Sequence, residues 1–67
     1  MNNIILEFTY KGRKHTYFRR IDVYGHPVTT TNKNSAKRIK EAQIKDVTKL
    51  LIKELGVSDV TPIKDEE

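Results

Sequence analysis

Two hydropathy rhythms divide the chain. From Asn3 to Tyr10, apolar Ile4, Leu6, Phe8 and Tyr10 alternate with Ile5, Glu7 and Thr9, and a period of two predicts a half-buried strand over residues 3–10. From Ser35 to Leu55 the spacing changes. Ala36, Ile39, Ile44, Val47, Leu50, Leu51 and Leu55 fall within one arc of a helical wheel, with Arg38, Lys45 and Lys49 opposite. That pattern predicts a long helix over 35–55 with its cap at Asn34 or Ser35, and the remaining elements are expected to pack on it.

Between these segments, Lys11-Gly12-Arg13-Lys14 reads as a turn because Gly12 accepts positive φ. A second strand over 15–23 follows. With the turn centred on Gly12-Arg13, Tyr10 faces His15, Phe8 faces Tyr17, Leu6 faces Arg19 and Ile4 faces Ile21. This register places Ile21 and Val23 on the core side, with Thr9, Lys11, Lys14, Thr16, Phe18 and Arg20 on the outer face. A three-residue loop instead brings Phe18 inside. Tyr24-Gly25-His26-Pro27 reads as a turn, and the β-branched run up to Thr31 as a third strand, 27–31. Gly56 is placed to end the helix. Residues 58–63 are extended, and Pro62 limits them to a short edge strand.

The expected fold is therefore α+β, a three-stranded antiparallel meander packed on one C-terminal helix. Residues 1–63 form a single domain, and 64–67 a frayed acidic tail. A chain of 67 residues buries only about 60% of the surface it exposes when unfolded, so its stability is modest. There is no cysteine to add a disulfide or a thiolate metal site, which fits a reducing, cytoplasmic setting. Ile4-Ile5-Leu6 is too short for a signal-peptide core, and no apolar run approaches the roughly 20 residues of a membrane span. Met1 at the start suggests a complete small product.

Charge sharpens this picture. The formal net charge is +4, and it is unevenly spread. Nine basic residues against Glu7 and Asp22 give +7 up to Lys40, and the remainder carries −3. Such polarity points to an anionic partner. Lys33, Lys37, Arg38 and Lys40 crowd the expected helix start, where the macrodipole is already positive, so cations and free amides there would grip phosphate together. On the hairpin, Lys11, Arg13, Lys14 and Arg20 surround an outward Phe18, a combination able to meet phosphates and stack a base.

Catalysis is not expected. His15 and His26 stand eleven residues apart without a cysteine or clustered acid, so neither a metal nor a cofactor site is expected. Nothing raises the pKa of Glu7 for acid–base work, and the three glycines stand alone and make no phosphate loop. At the level of topology, a sheet followed by a helix opened by Lys33, Lys37, Arg38 and Lys40 resembles the carboxyl half of double-stranded-RNA-binding domains. It also resembles the sheet-plus-helix modules at the amino ends of some phage-type integrases. The likeness covers about half of the chain, carries no diagnostic motif and transfers no residue roles. It implies duplex DNA or RNA as partner, bound through the phosphate backbone. The alternative is a small protein-interaction module of phage or mobile-element type, including a homodimer that buries Ile52 beside Leu55. A membrane partner is not expected, because the apolar arc of the helix is spent on the sheet.

Overall fold

The computed structural model describes residues 3 to 65. It is an α+β fold: β1 (Ile4–Tyr10), β2 (Arg13–Ile21), β3 (Pro27–Thr30), α1 (Ile44–Leu55) and β4 (Thr61–Lys64). The strands form one antiparallel sheet in the order β3-β2-β1-β4. The edge strand expected near 58–63 is thus a fourth member of the sheet, paired with β1 through Ile5–Ile63 and Leu6–Pro62.

β1 alternates as its sequence demands. Ile4, Leu6 and Phe8 are buried against the helix with Phe18, Ile39, Leu51 and Val57, while Ile5 packs on the opposite face with Tyr17 and Ala36. The hairpin register differs from expectation. Lys11 and Gly12 both take positive φ, 52° and 79°, as a two-residue type I′ turn requires, so Tyr10 faces Arg13, Phe8 faces Thr16 and Glu7 faces Tyr17. Between the Tyr10–Arg13 and Phe8–Thr16 pairs the register slips by one, leaving an extra residue in β2, and this bulge exchanges the two faces of β2 relative to the expected pairing. Phe18 is therefore not an outer-face aromatic: it is a core residue, 1% exposed. Ile21 and Val23, expected inside, are exposed. A shift in the β2–β3 pairing between Phe18 and Arg20 leaves Arg19 as an extra residue, a bulge near the end of the strand.

The helix begins later than its hydropathy suggests. Asn32 caps only a single 3-10 turn, Lys33–Ser35, by accepting from Asn34 N at 3.0 Å. The chain then runs extended and crosses the sheet. Ala36 lies on the outer face, Lys37 N donates to Phe18 O at 2.9 Å, and Ile39 exchanges both backbone bonds with Ile4 at 3.1 and 2.7 Å. Residues 37–39 thus occupy a split between β1 and β2, and Ile39 emerges in the helix-side core. Ala36 and Ile39, which share an arc on a helical wheel, face opposite sides of a sheet. A 3-10 turn over Glu41–Gln43 leads into α1, whose Ile44, Val47, Leu51 and Leu55 meet the sheet. Gly56, at φ 70°, closes the helix through its N–H to Ile52 O at 3.0 Å.

Arg38 holds this crossing in place. Its Nε donates to Asp65 Oδ2 at 2.6 Å, and its Nη1 to Ala36 O at 2.8 Å and Asn34 O at 3.2 Å. The tail expected from Lys64 therefore does not start there: Lys64 ends β4, Asp65 is bound, and Glu66 and Glu67 lie outside the described residues. Replacing Arg38 with Ala strands the Asp65 carboxylate and several carbonyls together. The expected cost is about 2 kcal/mol, the range for bonds to charged groups, read as a lower urea midpoint with an unchanged m-value.

Candidate nucleic-acid interface

The sharp turn at Lys11-Gly12 projects the hairpin tip beyond the core and leaves Lys11, Arg13 and Lys14 in water. Beside the tip, where β3 ends, lies an open groove of about 520 Å³. Lys11 and Arg13 border it, and Tyr10, Thr16, Thr29, Thr30 and Thr31 complete its lining. No carboxylate lines it. Lys11 Nζ rests 5.3 Å from the centre of the Tyr10 ring, close enough for a cation–π contact that orients the ammonium. Thr16 is buried, and its hydroxyl donates to Arg13 O at 3.0 Å, which fixes the backbone under the Arg13 guanidinium. Thr30 Oγ1 accepts from Asn32 N at 3.1 Å, so the threonine-rich run ends in an ordered turn.

The other expected contacts are dispersed. Arg20 is exposed at the far end of β2, paired with Val28 of β3. Lys33 lies near Glu7 on the outer face of the sheet. There His15 Nδ1 meets Glu7 Oε2 at 3.1 Å, and that bond, joined by Tyr17 and the Lys33 charge, holds the Glu7 carboxyl below its ordinary pKa. Burial and the neighbouring Glu7 carboxylate raise the Tyr17 phenol. Lys37 is exposed on the crossing segment, and Arg38 is engaged with Asp65. Lys40 precedes the 3-10 turn, its N–H bonded to Gln43 Oε1 at 3.0 Å. The phosphate site expected at the helix start is therefore not assembled. The cations precede the helix, Lys33 in the first 3-10 turn and the others on the extended segment, and Glu41 and Asp46 occupy the first turns of the second 3-10 and the α-helical stretches. The same displacement removes the feature on which the likeness to the double-stranded-RNA-binding domain rests.

Among the described residues, no cluster of three or more His, Cys, Asp or Glu side chains is placed to hold a metal. No helix among them is long and apolar enough to cross a membrane. Sequence reasoning also passed over Tyr24, which stands in water on the turn between β2 and β3. The signal was available in Asp22-Val23-Tyr24-Gly25, an Asx-type turn whose middle residues must point outward. Compared with protein-family models, curated proteins and solved structures, the chain matches none.

Proposed function

We propose that the protein binds nucleic acid without catalysis, holding the phosphate backbone at the β1–β2 hairpin tip. The observation that carries this reading is the groove: two cations and a run of threonines line one space bordered by no carboxylate. Phosphate oxygens are met by this combination of charged and neutral donors, which positions a backbone without reading its bases. Lys14 extends the positive edge of the tip. The test is fluorescence anisotropy of labelled DNA and RNA, duplex and single-stranded, at about 50 mM and about 200 mM salt. Binding is expected to weaken steeply with salt, log K falling by about 0.7 to 0.9 per phosphate neutralised for each unit of log salt. Absence of binding to every ligand at the lower salt overturns the reading.

One observation favours a second reading, a homodimer or protein-interaction module. Ile52 is 49% exposed on α1, three residues before Leu55. An exposed Ile on a helix face supplies an apolar centre for a self-complementary contact. This reading expects a doubled mass by light scattering that Ile52→Asp returns to the monomer value. A monomeric wild type at high concentration removes the homodimer.

A further inference from the structure

The turn between β2 and β3 presents two side chains that the fold leaves in water. Val23 is 91% exposed and Tyr24 82%. The backbone beneath them is firmly held. Asp22 N donates to His26 O at 2.9 Å and Gly25 N to Asp22 O at 3.1 Å. Asp22 Oδ1 accepts from both Tyr24 N and His26 N at 2.9 Å. The His26 ring meets Glu54 of α1 at 2.8 Å, fastening the turn to the helix. A partner that engages Tyr24 has little backbone left to order, and binding is strengthened when that ordering is already complete.

The surroundings indicate what kind of partner fits. Arg19 and Arg20 are exposed at the end of β2 that leads into the turn. Asp22 is the only carboxylate within the turn, and one of its oxygens already serves two backbone donors. An exposed phenol ring on a turn that follows two exposed arginines suits a ligand that offers a flat π-face and negative charge together, which a nucleotide does. β3 starts directly after this turn and ends at the threonine groove, and it is the outermost strand of the sheet. Its four residues span about 13 Å at 3.3 Å each. One edge of the molecule thus carries an aromatic platform at one end and a cationic groove at the other. In a fully paired duplex the base faces are occupied by their neighbours, whereas an unpaired base leaves its face free.

We propose that Tyr24 is a base-stacking contact, and that the ligand is single-stranded nucleic acid lying along the β3 edge with its backbone held at the hairpin tip. Arg19 and Arg20 meet phosphates flanking the stacked base, and Val23 packs beside it. The inference rests on the nucleic-acid reading above and deepens it by naming the form of the ligand.

The experiment compares wild type, Tyr24→Ala and Tyr24→Phe on a labelled thymidine single strand and on a duplex of equal length, by anisotropy at about 50 mM and about 200 mM salt. Tyr24→Ala is expected to weaken single-strand binding about tenfold or more, the range for loss of one base–aromatic stack. The salt slope should stay unchanged, since no charge is removed. Tyr24→Phe should bind as wild type, and the duplex should be indifferent to both variants. The ring is exposed, so both variants are expected to keep the wild-type circular dichroism spectrum. Equal single-strand affinity for Tyr24→Ala and wild type overturns this inference, as does an equal loss on duplex and single strand. Failure of wild type to bind either ligand overturns the nucleic-acid reading itself. Binding that is lost on charge reversal of Lys11 and Arg13 but unmoved by Tyr24→Ala removes the stacking interaction alone.

Discussion

Phe18→Ala is expected to remove much of the stability of the fold. Phe18 is fully buried on the helix side of the sheet with Leu6, Phe8 and Leu51, and emptying such a site costs about 3–5 kcal/mol in lost burial and residual cavity. A domain of 67 residues has about 3–10 kcal/mol to lose at the usual stability per residue. Circular dichroism during urea titration should show a truncated or absent native baseline. Where a transition survives, its thermal midpoint should fall by at least about 12 °C. Phe18→Leu, which keeps most of the volume, should cost less than about 1.5 kcal/mol. The experiment also tests the burial of Phe18. If Phe18 instead stood on a solvent-facing side of β2, the Ala variant would behave as a surface substitution and shift stability by less than about 0.5 kcal/mol. A wild-type-like urea curve would therefore overturn the placement of Phe18 in the core.

The same residue marks the limit of what the fold reveals in its sequence. β1 was fully legible, because Ile4, Leu6 and Phe8 alternate with residues of a different environment. β2 contains two adjacent aromatics, and both are buried, Tyr17 on one face and Phe18 on the other. Hydropathy therefore could not choose between its two registers, and the choice fell to the turn. Lys11 in a left-handed conformation tightens the turn, and the extra residue of β2 between Arg13 and Thr16 then sets which face is buried. A non-glycine residue with positive φ and a bulge beside it are the options that turn reading weights least. The helix start was misplaced for a related reason. Ala36 and Ile39 satisfy a helical period, yet Lys37 and Ile39 spend their backbone N–H groups on Phe18 and Ile4. A split between strands that admits a third segment leaves no trace in periodicity.

The site was legible where it depended on local turn chemistry and illegible where it depended on the crossing. Lys11, Arg13 and Lys14 follow directly from the hairpin, and the structure adds the threonines of β3 that complete the groove. Lys33, Lys37, Arg38 and Lys40 formed a cluster only on the assumption of a shared helix. Without it, Lys33 faces Glu7, Arg38 binds Asp65, and the others point into water along an extended stretch. The aromatic sought on the sheet face stands instead on the β2–β3 turn, where Asp22 organises the backbone and leaves Tyr24 outside.

Reversing charge at the hairpin tip should have the larger effect on binding. Lys11→Glu with Arg13→Glu places two carboxylates on the rim of a groove that now has none. Removing one cation from a phosphate lowers the salt slope by about one, so the pair should flatten it by about two. At about 50 mM salt, affinity should fall on the order of a hundredfold, since repulsion is added to the removal of both attractions. The tip is exposed, so the urea midpoint is expected to stay near that of wild type. Net charge must be separated from location. Lys45→Glu with Lys49→Glu also lowers the formal charge from +4 by four units, to zero, but acts on the outward face of α1. This control should weaken binding only modestly, through the general field. If the helix pair loses as much affinity as the tip pair, binding follows total charge and the groove is not a site. If the tip pair alone collapses the salt slope, phosphate is held where Lys11, Arg13 and the threonines converge.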